Sequence, residues 1–115
     1  MKIVRNEDNI MLVLTEKENA NTNLVAANAV DASFEKHVPQ YEITDNKVRV
    51  YVNHVMEEAH YIEWIMIDYG NEQIIKHFSP GDEPSLEVDY REGMVAYSYC
   101  NKHSLWGNNN ITNNI

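Results

Sequence analysis

The sequence predicts an all-β domain built as an antiparallel sandwich of about seven strands. Three observations carry this. Val48, Val50 and Val52 alternate with Lys47, Arg49, Tyr51 and Asn53, which is the period of a strand with one apolar face. Short β-branched and aromatic runs recur from residue 40 to residue 100, with Gly, Pro, Asn and Asp between them. No stretch sustains a helical period.

Taken in order, the first thirty residues read as an appendage. The short apolar run Ile10 to Leu14 is followed by a polar, loop-like stretch over 15–23 and then by Asn28-Ala29-Val30-Asp31. The valine strand comes next. His60 to Asp68 is apolar on both faces after Glu63, which predicts a central strand covered on both sides. Tyr69-Gly70-Asn71-Glu72 supplies a turn, Gln73 to Ser79 a further strand, and Ser79-Pro80-Gly81-Asp82-Glu83-Pro84 a break. Ser85 to Tyr90 alternates as a strand, and Gly93 to Cys100 is another. Residues 108–115, N-N-N-I-T-N-N-I, have no periodicity and little to bury, and read as a disordered tail. There is no internal repeat.

At 115 residues the chain fits one domain with one core. Its 43% hydrophobic and 23% charged residues exclude collagen-like, wholly disordered and coiled-coil classes. Eighteen acidic against nine basic side chains give a net charge of −9, which repels a phosphate backbone and an anionic membrane face, so neither nucleic acid nor membrane is expected as a partner. Ile10 to Leu14 is too short for a signal-peptide core or a membrane span and follows Glu7 and Asp8, so a cytoplasmic location is expected. The single cysteine, Cys100, excludes an intrachain disulfide and suits a reducing compartment. Asn110-Ile111-Thr112 matches a glycosylation sequon, which carries no meaning without a secretory signal.

Five histidines occur, at positions 37, 54, 60, 77 and 103. All but His77, which sits inside Q-I-I-K-H-F-S, fall at loop or strand-end positions. Cys100-Asn101-Lys102-His103 sets a thiol and an imidazole at the end of a strand, at a spacing where a turn can aim both at one metal. Taken singly, each histidine reads as a surface or hydrogen-bonded residue and Cys100 as a buried, inert thiol.

Taken together, the local sequences resemble the superoxide reductase family, which includes neelaredoxins and desulfoferrodoxins. Glu35-Lys36-His37-Val38-Pro39 resembles its E-K-H-x-P element, and His54-Val55-Met56-Glu57-Glu58-Ala59-His60-Tyr61-Ile62-Glu63-Trp64-Ile65 its H-P-M-x-x-x-H-Y-I-x-W-I. Pro80-Gly81-Asp82-Glu83-Pro84 and Tyr99-Cys100-Asn101-Lys102-His103-Ser104-Leu105-Trp106 resemble P-G-x-x-P and Y-C-N-x-H-G-L-W. The likeness runs over residues 30–107 in the same order along the chain.

The resemblance implies an immunoglobulin-like sandwich carrying one mononuclear non-haem iron per chain, cycling between Fe2+ and Fe3+. His37, His54, His60 and His103 would be its equatorial ligands and Cys100 its axial one, with an open position opposite the sulfur. The implied reaction is one-electron reduction of superoxide to hydrogen peroxide, with no oxygen evolved. Four neutral imidazoles and one thiolate leave ferrous iron net positive, while the anionic sulfur stabilises the ferric state. By the same resemblance Glu35 would cap the oxidised iron and Lys36 would draw in the anion and help protonate the peroxide. His77 stays outside the site. The electron donor is external, with rubredoxin the family's usual partner, and a homo-oligomer, dimer or tetramer, stays open.

Two positions depart from the pattern: Val55 stands where the family has proline, and Ser104 where it has glycine. Asn23 to Ala32 resembles the linker that follows the small four-cysteine iron domain of two-iron members, but all four of those cysteines are missing. The implied organisation is a degenerate appendage over 1–29, the sandwich over 30–107 and the tail over 108–115. Two rival readings are a blue-copper-like electron carrier, suggested by Tyr97, Tyr99, Cys100 and His103, and a non-catalytic immunoglobulin-like binding module. A blue-copper site would need an axial methionine, and Ser104-Leu105-Trp106 offers none.

Overall fold

The computed structural model describes residues 2–6, 11–14, 22–24, 28 and 34–113, with side chains at Asn28 and from Lys36 onward. Two antiparallel sheets form the sandwich. One has the order β4 (Gln40–Thr44), β5 (Lys47–Tyr51), β8 (Ser85–Asp89). The other runs β10 (Ser104–Asn108), β9 (Val95–Cys100), β6 (Ile62–Asp68), β7 (Gln73–His77). Ahead of them, β1 (Lys2–Asn6), β2 (Met11–Leu14) and β3 (Thr22–Leu24) make a separate three-stranded sheet with β1 central. A single helical turn, α1 (Phe34–His37), leads into β4.

The valine alternation does what its period requires. Val48, Val50 and Val52 are almost wholly buried, and Val48 and Val50 pair with Val88 and Leu86 of β8. Across the sandwich they meet Ile62, Ile65, Ile67, Ala96 and Cys100. Strand β6 is buried on both faces, as its composition predicts, because Trp64 and Met66 point the other way into a second cluster with Tyr99 and Leu105. A register shift against β9 between Ile62 and Trp64 lets Ile62 and Ile65, an odd number of residues apart, both face the main core. That bulge lies opposite Cys100, where the chain leaves the sandwich.

The turns follow their residue chemistry. Asp45 and Asn46, both at positive φ (51° and 67°), close the two-residue hairpin between β4 and β5. Asp68 accepts hydrogen bonds from Gly70 N and Gln73 Nε2 and so holds the β6–β7 turn.

Strands β4 and β10 complete the seven: Tyr41 and Ile43 of β4 alternate with Gln40, Glu42 and Thr44 and pack against the main core, whereas β10 carries no clear alternation. The tail departs from its expected disorder through residue 113. Ile111 is only 3% exposed and joins the main core. Asn108 Nδ2 donates to Pro39 O at 2.9 Å, and Asn110 N donates to Asn108 Oδ1 at 2.9 Å. One apolar anchor and amide-to-backbone bonds order a segment that has no ladder periodicity. Of the N-terminal run Ile10 to Leu14, the described residues form β2, and Asn28 ties its segment to β10 through Asn28 N to Leu105 O and Gly107 N to Asn28 Oδ1. Among the described residues no helix is long and apolar enough to cross a membrane.

Candidate metal centre

The loops at one end of the sandwich carry the candidate site. His37 closes α1, and its carbonyl accepts a 2.7 Å hydrogen bond from Ser98 Oγ of β9. His54 lies in the loop after β5, where Val52 N donates to Pro84 O and Gly81 N to Met56 O, so that the Pro80–Pro84 turn supports the loop. His60 ends a tight turn held by reciprocal backbone bonds with Glu57, at 3.0 and 3.1 Å. Cys100 is the last residue of β9, and His103 lies in the turn to β10.

These five residues converge: one potential ligand atom from each lies within 4.8 Å of all the others. The four imidazoles form a closed ring. Centroid distances are 4.9 Å for His37–His54, 4.5 Å for His54–His60, 5.0 Å for His60–His103 and 4.8 Å for His103–His37. Neighbouring planes stand 71° to 87° apart, so each edge meets the next face. Cys100 Sγ approaches His54 Nε2 at 3.5 Å and His103 Nδ1 at 3.8 Å, and His37 Nε2 lies 3.0 Å from His103 Nδ1.

Several contacts orient these donors. His54 Nδ1 bonds the carbonyl of Val55, which can only accept, so Nδ1 carries the proton and Nε2 turns a bare lone pair toward the sulfur. Trp106 stacks on His37 with centroids 4.9 Å apart, and its Nε1 donates to His103 O at 3.0 Å, so one indole props two members of the ring. Asn101 bonds the backbone on both sides of His60. Ser98, Asn101 and Trp106 were given no role on sequence grounds; Asn101 and Trp106 stood in plain view inside the Y-C-N-x-H-x-L-W stretch.

Burial favours the uncharged forms, whose lone pairs are what a metal ion takes. Burial, then the neighbouring imidazoles, pushes His54 below the ordinary histidine range, and burial leads the same downward shift at His60. Burial raises the Cys100 thiol, opposed by backbone hydrogen bonds from Lys102 and His103. His60 Nε2 is buried with no hydrogen-bond partner among the described residues, a costly arrangement that a metal ion would relieve. Four imidazoles and a thiol can hold a first-row metal ion such as iron, zinc or copper, and the ring has twice the histidines a blue-copper site uses. Met56, the methionine of the His54 loop, spends its sulfur on Ile62 N at 3.3 Å.

The remaining sequence candidates stay at the rim or beyond. Lys36 is exposed beside His37, and Lys102 is exposed between Cys100 and His103. The Glu35 side chain lies outside the described residues. His77 is exposed on β7 and stands apart from the ring. Val55 is 50% exposed, and Ser104 holds φ +70°.

The desulfoferrodoxin family model matches residues 29–109. The chain belongs to the desulfoferrodoxin family. A desulfoferrodoxin of Syntrophotalea carbinolica is 41% identical over 88 residues, 73% of this chain and 70% of that one. A desulfoferrodoxin homolog of Archaeoglobus fulgidus is 47% identical over 88 residues, 72% of this chain and 70% of that one. Among solved structures, the superoxide reductase of Treponema pallidum shares the fold at a TM-score of 0.71 and 22% identity, covering 94% of this chain and 99% of that one. The one-iron superoxide reductase of Giardia intestinalis aligns at a TM-score of 0.54 and 30% identity, over 64% of this chain and 95% of that one.

Proposed function

We propose that this desulfoferrodoxin is a superoxide reductase, and that His37, His54, His60, His103 and Cys100 hold one iron per chain. The observation that carries the reading is the closed ring of four imidazoles with a thiol against two of them. Bound iron would supply the electron: superoxide, one electron and two protons give hydrogen peroxide, and no oxygen is released. The chain's own residues do the rest. The thiolate makes the oxidised state accessible, and burial keeps His54 and His60 neutral and available as donors.

Lys36, exposed and next to His37 in sequence, is the proposed source of positive potential for an anion approaching a chain of charge −9 and the proposed proton donor through water. Glu35, its neighbour, is the proposed carboxylate cap of the resting oxidised centre. The electron comes from an external one-electron donor, with rubredoxin the proposed partner. Residues 1–29 contain no cysteine, so a second thiolate-bound iron has no ligands there. A single thiol that must stay reduced suits the cytoplasm.

The test is iron content together with stoichiometry. One iron per chain and one peroxide per superoxide consumed, without oxygen, is expected. One peroxide per two superoxides with oxygen evolved would mean dismutation, and a protein that takes up no iron would mean a binding module.

A further inference from the structure

We infer that Asn101 is a positioning residue that sets His60 in the ring before any metal arrives; the inference rests on the metal-centre reading above. His60 sits at the end of a short turn outside the strands of the sandwich. Its turn spans Glu57 to His60, three of whose four residues are exposed, and its Nε2 has no hydrogen-bond partner among the described residues.

Asn101 compensates from the opposite loop. Its Oδ1 accepts from Tyr61 N at 3.0 Å, its Nδ2 donates to Ala59 O at 3.0 Å, and its own backbone N donates to Tyr61 O at 3.2 Å. A backbone N–H can only donate and a carbonyl can only accept, so the amide has one orientation and both ends are used. The residues before and after His60 are therefore bracketed by a single side chain. Asn101 directly follows Cys100, so the bracket fixes His60 relative to the thiol and to His103, two residues further on. The amide acts through His60 and is not itself offered as a ligand. Residues that orient metal ligands in this way commonly change affinity by about 10- to 100-fold.

The test uses cobalt(II) added to the metal-free protein in competition with a chelating indicator. Asn101→Ala is expected to weaken cobalt binding by about 10-fold or more. Asn101→Asp keeps the acceptor for Tyr61 N, loses the donor to Ala59 O, and is expected to fall between Ala and wild type. The decisive measurement repeats Asn101→Ala in a His60→Ala background, where the cost should vanish if Asn101 works through His60. Wild-type affinity in Asn101→Ala, or an undiminished loss without His60, overturns the inference. The metal-centre reading survives either result, because wild-type cobalt binding tests it separately; a wild type that binds no cobalt would remove both.

Discussion

His54 Nε2 and Cys100 Sγ lie 3.5 Å apart although 46 positions separate them in sequence. The loop after β5 and the end of β9 come from different sheets, so the packed sandwich itself brings an imidazole lone pair to a buried thiol. Burial lowers the proton affinity of His54 and raises that of Cys100, which leaves both groups neutral around pH 7 in the metal-free protein.

The first prediction is a pH profile for metal binding. Above the ordinary histidine range His54 and His60, pushed down by burial, have no proton to lose, and the thiol, pushed up by burial, is the ligand that must still lose one. Affinity should therefore rise about tenfold per pH unit from about pH 7 to 8, and fall more steeply once the imidazoles begin to protonate. Cobalt titrations against a chelator across this range measure the slope; a flat profile would mean that Cys100 is not a ligand. In the metal-free protein the same shifts act on stability. Between the ordinary histidine value of 6.5 and the lowered folded values at His54 and His60, the unfolded chain binds more protons, so stability falls with falling pH. Above the ordinary thiol value of 9.0 the folded chain keeps a proton on Cys100 that the unfolded chain releases, so stability falls again as pH rises.

The second prediction separates ring members from bystanders. His54→Ala, His60→Ala and His103→Ala should each cripple iron binding, whereas His77→Ala should leave iron content and rate near wild type, since His77 is exposed on β7. Cys100→Ser should remove the sulfur-to-iron charge-transfer band. Iron analysis with the absorption spectrum of each oxidised variant, and a superoxide rate for His77→Ala, checks all five, and metal loss in His77→Ala would break the ligand assignment.

Ser104 yields a third. It holds φ +70° directly after His103, a conformation in which Cβ crowds the backbone. The family's glycine at this position fits that geometry, and serine keeps it because the Cys100–Ser104 pairing at the start of the β9–β10 hairpin dictates the turn. Ser104→Gly should stabilise the metal-free protein by about 1 kcal/mol, the left-handed cost less glycine's entropy, read as a higher melting temperature.

A fourth prediction tests the ordered tail. Ile111 is buried in the main core, so Ile111→Ala should cost about 2–4 kcal/mol in denaturant unfolding. A cost under about 0.5 kcal/mol, the level of an ordinary surface substitution, would return the tail to a solvated segment.

Legibility along the sequence followed packing. The valine alternation of β5 and the doubly apolar run of β6 announced themselves because each buries faces whose period the side chains must match. Strands β4 and β10 were less plain, since Gln40–Thr44 alternates over only five residues with no side chain fully buried, and Ser104–Asn108 mixes a buried Leu-Trp pair with small and polar residues. The tail misled for a related reason: one buried isoleucine among asparagines produces no period. In the site, the ring residues were visible as motifs in local sequence. Asn101 and Trp106 stand in the same stretch as Cys100 and His103, but their part as props, like that of Ser98, was hidden, because Ser98 to His37 O and Asn101 to the His60 turn are bonds between distant segments that no spacing encodes.

The last prediction concerns Lys36. Superoxide is an anion approaching a chain of charge −9, so the long-range field opposes encounter and local positive potential must overcome it. The thiolate of Cys100 offsets part of the charge of a bound iron, which leaves side chains to contribute. Lys36 and Lys102 are both exposed and each adjoins a ring histidine, His37 and His103. Lys36→Ala should keep full iron occupancy, since it is not a ligand, while slowing the second-order reaction with superoxide by about tenfold or more and weakening its dependence on ionic strength. Lys36→Arg should preserve much of the steering, because it keeps the charge in place. Pulse radiolysis at low salt reads the rate directly. A Lys36→Ala rate equal to wild type would place the steering charge elsewhere, and Lys102→Ala would then be expected to carry the loss.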